Sequence, residues 1–335
     1  MENYNKLNEY NKKIFGEKVL KICVDGGFTC PNRDKTKGIN GCIFCSEEGS
    51  GDLIKNRKKE IKNQVKEYLN SYKALRANKF IVYFQNFTNT YDTIENLKKK
   101  YDEALIDKRI VGIDIATRPD CINNENAKLI ASYKQKLKKV YVELGLQTAD
   151  DSLEKFLNRK YLKKDFQKAN KILKEYKIDV IAHIMCGLPH ENREKYFILK
   201  KNLDNNEYKI KNELIKKENI ENGKFIPSSL IETIKFINEE KIDGIKIHST
   251  YVVKNTILEE MYNKKEYIPL EFNEYLYYLI YIITHLDKKI VIHRVIADSP
   301  KNILIAPEWN KHKLIFLNTF HKILKENDYY QGMFE

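Results

Sequence analysis

Seven short runs of apolar, largely β-branched residues recur along the chain: KVLKICVD (18–25), KFIVYFQ (79–85), IVGIDIAT (110–117), KVYVELGL (139–146), IDVIAHIMCG (178–187), IDGIKIHS (242–249) and KIVIHRVI (289–296). Between them, charged stretches such as TIENLKKKYDEALIDK (93–108) and NENAKLIASYKQKL (124–137) carry apolar residues at helical spacing. Alternating strands and helices in units of about 30 residues predict a parallel sheet with crossover helices. Six to seven units are too few to close an eight-stranded barrel. The predicted fold class is therefore α/β, an open, partial β/α barrel of six to seven units. In such folds the chemistry gathers at the C-terminal ends of the strands.

The same pattern sets the expected boundaries. Residues 1–17 form an N-terminal extension, residues 18–300 the core, and residues 301–335 a C-terminal tail. The connection at 190–241, with LDNNEYKIKNELIKKENIENGKFIPSS, reads as an Asn/Lys-rich helical insertion on the outer surface. No Pro/Gly/Ser linker marks a second domain.

Composition narrows the class. With 335 residues, 42% of them hydrophobic, the chain can bury a sizeable core. No apolar run reaches 18 residues, so no membrane span is expected. The polar start MENYNKLNEYNKKIFGEK lacks the apolar stretch of a signal peptide, and a cytoplasmic protein is expected. There thiols stay reduced, and clustered cysteines favour metal over disulfide. The formal charge of +13 invites a nucleic-acid reading, but it comes almost wholly from dispersed lysine. Only eight arginines occur, and Arg33, Arg118, Arg159 and Arg294 fall in motif-like stretches.

Three of the six cysteines stand in TCPNRDKTKGINGCIFC (29–45), directly after the first strand. Cys30, Cys42 and Cys45 follow a C-x11-C-x2-C spacing. Three thiolates suit zinc or an iron–sulfur cluster. Structural zinc takes four protein ligands, and no histidine precedes His183. The one local fourth ligand is Cys23, in mid-strand, which reads better as a buried strand residue. Cys121 and Cys186 also read as packing residues. Three cysteines with an open position suit a [4Fe–4S] cluster that leaves one iron for a small molecule.

With Phe44 just before the last cysteine, this arrangement resembles the radical S-adenosylmethionine (SAM) superfamily. The long first spacing is similar to its branch containing the Elongator catalytic subunit. GGFTCPNRD and GCIFC look closest to a family of uncharacterised bacterial radical SAM proteins in that branch. The resemblance continues in order. YFQNFTNTY (83–91) stands where that superfamily has a glycine-rich segment, with Thr88 matching its threonine. ATRPD (116–120) resembles the TRPD signature, with Ala116 where many relatives carry Glu. ELGLQT (143–148) offers Gln147, and LNRKY offers Arg159, as in the oxygen-independent coproporphyrinogen oxidases. HIMCGLP (183–189) places His183 where they carry an Asp.

The resemblance implies a [4Fe–4S] cluster on Cys30, Cys42 and Cys45. It also implies S-adenosyl-L-methionine contacted by Phe44, Thr88, Gln147, Arg159 and His183. A low-potential electron donor of flavodoxin or ferredoxin type is the implied partner. Thr88 also reads as a helix cap, Gln147 and Arg159 as makers of a strand-end hydrogen bond or surface ion pair, and His183 as a core histidine.

Substrate groups are expected from the later strand ends: His248 in IKIHSTYVVKNT, and His293 and Arg294 in IVIHRVIADSP. In a regular strand His293 and Arg294 face opposite sides, so only one would reach the pocket. Arg294 also reads as the partner of a carboxylate that closes the barrel. The substrate stays open between RNA and a small anionic molecule. About 35 residues follow the radical SAM-like part, too few for the Elongator subunit's acetyltransferase domain. Two other classes stand beside the enzyme: a zinc-stabilised nucleic-acid-binding protein using Cys23, and an electron-transfer iron–sulfur protein.

Overall fold

In the computed structural model, which describes residues 2–47, 49, 59–300 and 302–335, each of the seven runs is a strand. They are β1 (Val19–Val24), β2 (Lys79–Phe84), β3 (Ile110–Thr117), β4 (Lys139–Gln147), β5 (Asp179–Cys186) and β6 (Gly244–Ser249), and β8 (Val291–Arg294) after the short β7 (Val252–Val253). All seven pair in parallel in the order β1-β2-β3-β4-β5-β6-β8. Sequential order with β1 and β8 left as edges is the topology of a partial barrel. A two-stranded antiparallel piece joins β7 to β9 (Leu304–Ala306).

The period-2 alternation of each strand sorts its side chains. Ile22, Val24, Phe80, Val82, Ile113, Val142 and Leu144 point outward into the main core beneath the helices. The opposite face lines the lumen. Its floor is apolar: Val19, Ile81, Tyr141 and Ile181 pack with Phe15. One pleat higher the lumen turns polar with Lys21, Tyr83, Asp114, Glu143, His183 and Lys246. The plug closes the bottom of that layer, in which Tyr83, Asp114, Glu143 and Lys246 are buried.

The expected N-terminal extension contains a helix, Leu7–Phe15, that lies against both edge strands. The amide of Ile292 donates to the Asn5 carbonyl at 2.8 Å. This segment therefore covers the seam that the sheet leaves between β1 and β8.

The 190–241 connection is helical over Glu194–Asn202, Glu207–Leu214, Lys217–Glu221 and Ser228–Glu239. It is more than surface decoration, because Tyr196, Ile210, Leu214 and Ile220 are buried in the main core. Helix Phe272–His285 explains the need. Its sequence FNEYLYYLIYIITH is apolar all round, and such a helix must be covered on every side. Helices of the connection lie against it from one direction, and Lys313–Glu326 of the expected tail from another, burying Phe316, Phe320, Ile323 and Leu324. Among the described residues, no helix is long and apolar enough to cross a membrane.

Candidate functional site

The loop after β1 is tied down by groups that look like ordinary turn residues in the sequence. Asn32 donates to the Asn158 carbonyl at 2.6 Å and its amide nitrogen lies 3.8 Å from the Cys42 sulfur. Asn158, in the left-handed region at φ +52°, returns a bond to the Gly41 carbonyl at 2.7 Å. Arg33 donates to the Cys45 and Ser46 carbonyls at 2.8 and 2.6 Å. Ile43 bonds to the backbone of Leu157 and Leu258 and is buried with both. These contacts set Cys30, Cys42 and Cys45, together with Phe44, around one cavity of about 230 Å³ at the C-terminal ends of the strands.

Thr88, Ala116, Arg118, Gln147 and His183 line the same cavity. Thr88 is not a helix cap: Thr93 caps the following helix by accepting from the Asn96 amide. The Thr88 hydroxyl is buried without a hydrogen-bond partner among the described residues. Gln147 ends β4 at φ +57°, and its side-chain oxygen accepts from the Tyr161 hydroxyl at 2.6 Å. Gly145 makes room for this pair, since a Cβ there would lie 2.7 Å from the Gln147 amide nitrogen. Arg118 makes a two-pronged bond to Asp120 at 2.9 and 2.8 Å and stacks over the Tyr161 ring.

Arg159 does not line this cavity. It is fully buried, and its guanidinium donates to the carbonyls of Tyr161, Leu146 and Thr148 and to Asp151. In this structure the guanidinium is taken up by a backbone brace around Gln147. Cys23 also differs from expectation. It is open on the lumen rather than packed in the core, because it shares the inward face of β1 with Lys21. It lines a lower cavity, not the one around the other three cysteines. Cys186 is buried as expected, and Cys121 is half-buried beside Asp120.

The lower cavity, about 300 Å³, shares Tyr83, Gln85, His183, His248 and Tyr251 with the upper one. It holds the other expected residues, with one correction. Both His293 and Arg294 line it. The register steps from Ile245↔Ile292 to Lys246↔Arg294, so a bulge at His293 breaks the alternation. Gly244 accommodates it: a Cβ there would sit 2.9 Å from the His293 Nε2. Nor does Arg294 pair with a carboxylate among the described residues; its guanidinium contacts His248. The Nε2 atoms of His183 and His248 are 2.9 Å apart.

Sequence reasoning missed the ion network between the floor and the histidines. Lys246 bonds Glu143 at 2.5 Å, while Lys21 reaches Glu143 at 3.1 Å and also pairs with Asp114. Tyr83 lies under both ammonium groups. The signal was present: Lys21, Asp114, Glu143 and Lys246 are single charges in the middle of apolar strands, and a charge there has to be paired. Burial works against the Glu143 carboxylate, but Lys21 and Lys246 outweigh it and hold its pKa well below the usual value. Burial and the Glu143 charge push Asp114 up to about 7. Burial, helped by Lys246, pushes His183 down to about 3. In the upper cavity burial, then Cys45, pushes the Cys42 thiol up to about 12.

A partial barrel with a three-cysteine loop after its first strand defines a class, and the comparisons agree. The model for the Radical SAM superfamily matches residues 32–200, and that for the Radical_SAM C-terminal domain matches 242–326. The chain belongs to the radical SAM superfamily. It is 31% identical over 332 residues to uncharacterized protein YtqA of Bacillus subtilis, covering 99% of this chain and 92% of the relative. It is 32% identical over 326 residues to uncharacterized protein MJ0486 of Methanocaldococcus jannaschii, covering 96% and 89%. Its fold is similar to the solved structure of Methanocaldococcus infernus Elp3, with a TM-score of 0.59 at 17% identity over 93% of this chain and 64% of that one.

Proposed function

We propose that this chain is a cytoplasmic radical SAM enzyme that holds a [4Fe–4S] cluster on Cys30, Cys42 and Cys45. The observation that carries the reading is the donor set: three thiols on one cavity at the strand ends, with Cys23 on a different one. Three soft ligands fit a cluster with one iron open to SAM better than a four-ligand structural zinc. When bound, the cluster would pass a low-potential electron, drawn from a flavodoxin- or ferredoxin-type donor, to SAM, and would thereby supply reductive S–C5′ cleavage, the chemistry that gives methionine and a 5′-deoxyadenosyl radical.

The chain's own residues bind and orient. Phe44 offers an aromatic face beside the sulfur loop. The unpartnered Thr88 hydroxyl and the Gln147 amide are polar groups for SAM. His183, held neutral, offers a hydrogen bond to a hydroxyl without adding charge. Ala116 gives no carboxylate, so the amino group of SAM must find its acceptor elsewhere. The enclosing strands and the apolar floor limit water around the reacting atoms.

Anaerobic reconstitution tests the reading. Wild type and Cys23→Ala are expected to hold about four irons per chain. Cys30→Ala, Cys42→Ala and Cys45→Ala are expected to hold far less. Tightly bound zinc without iron, released by Cys23→Ala, would overturn it.

A further inference from the structure

The lower cavity carries a charge that its own walls do not cancel. Lys21 and Lys246 close on Asp114 and Glu143, and the third carboxylate, Asp298 on the cavity wall, is taken by Lys313 at 2.7 Å, so three cations meet three carboxylates. Arg294 is left over. Among the described residues its guanidinium touches His248 and no acid, and its Nε is buried without a partner. His248 adds no negative charge, and burial together with Arg294 keeps it neutral. A guanidinium turned into a half-buried cavity against a neutral imidazole lacks the anion that normally offsets its desolvation.

The backbone is built to create this situation. A regular β8 would send Arg294 to the other face of the sheet. The bulge at His293 brings both residues to the lumen, and Gly244 leaves space for it. The ligand atoms of Asp114, Glu143 and His293 do lie within 4.8 Å of one another. A metal there would have to displace both ammonium groups from the carboxylates. The vacant charge in the cavity therefore calls for an anion.

We propose that the lower cavity binds the anionic group, a carboxylate or a phosphate monoester, of a small-molecule substrate, with Arg294 as its anchor and His248 as a hydrogen-bonding neighbour. At about 300 Å³ the cavity is at the small end of metabolite sites. His183, His248 and Tyr83 belong to both cavities, so a molecule anchored on Arg294 extends towards the sulfur-lined one. That the bound molecule is a substrate rests on the radical SAM reading; the anion site itself does not.

The test separates the two. Binding of inorganic phosphate and of acetate is measured calorimetrically on wild type and on cluster-free Cys30→Ala protein, against chloride at equal ionic strength. One saturable anion per chain is expected in both, whether or not iron is held. Arg294→Gln is expected to weaken it about tenfold or more, while Arg294→Lys, which keeps the charge, retains part of it. Tighter phosphate identifies a phosphate monoester and tighter acetate a carboxylate; either supports the site. Absence of saturable binding in wild type overturns the proposal, whatever the variants do, as does unchanged affinity in folded Arg294→Gln. Binding of a single-stranded oligoribonucleotide that depends on Arg294, without binding of either free anion, overturns it in favour of RNA.

Discussion

The guanidinium of Arg159 donates to the carbonyls of Leu146 and Thr148, and those two residues flank Gln147. Gln147 itself sits at φ +57°, a conformation that costs a non-glycine residue of order 1 kcal/mol. The bonds on either side hold that turn, and Tyr161 then fixes the amide. Arg159 is thus a positioning residue for Gln147. Replacing it with Met takes the guanidinium from three buried carbonyls, of which Leu146 keeps the Thr148 amide at 2.7 Å, a loss of about 3 kcal/mol. The expected result is a lower urea midpoint for cluster-free Arg159→Met and weaker SAM binding. Gln147→Ala should weaken SAM binding about tenfold with the midpoint near wild type. An Arg159→Met protein that unfolds at the wild-type midpoint would refute the brace. The arginine's importance was legible from its motif, but its role was not, because spacing does not reveal which way a side chain turns.

At the scale of elements, the period of the apolar runs was enough to locate all seven main strands and their parallel order. What periodicity cannot show is a bulge, since one extra residue leaves composition unchanged; hence the wrong facing of His293 and Arg294. It also undervalued short helices in lysine- and asparagine-rich sequence, whose few apolar residues are the buried ones. The final helix, Lys313–Glu326, is the clearest case. Phe316 is fully buried there and packs with Phe272, Tyr275 and Trp309. Truncating such a residue removes its transfer energy and leaves a cavity. Phe316→Ala should therefore cost about 3–5 kcal/mol in chemical denaturation. A cost below about 1 kcal/mol would mean that the segment is the tail its composition suggests.

For the whole molecule, the +13 charge matters less than where the titrating groups lie. The lumen gathers three histidines that burial keeps neutral: His183, pushed down to about 3, and His248 and His293, held well below 6.5. In the unfolded chain these imidazoles titrate near 6.5. Around pH 5 unfolding therefore takes up three protons at these sites. Asp114 opposes this. Pushed up to about 7, it keeps a proton in the folded state that the unfolded carboxyl, near 3.8, has lost. Glu191, which burial also pushes up to about 7, opposes it in the same way, so three protons gained against two released leave a net uptake of about one. Stability is then expected to fall as pH drops below about 6.5, on the order of 1 kcal/mol per pH unit. Below about 4.5 the protonation of Glu143 deepens the loss, because its depressed pKa makes the ionised form the stabilising one. The check is the urea midpoint of cluster-free Cys30→Ala protein at pH 7 and at pH 5, which avoids acid damage to a cluster. Asp114→Asn should steepen the fall, since the opposing proton is gone, and His183→Gln should shallow it. A midpoint unchanged between pH 7 and pH 5 would mean that water reaches the imidazoles well enough for them to protonate in the folded state. In that case the lumen around Arg294 would be wetter, and its guanidinium less in need of an anion, than the packing of these strands implies.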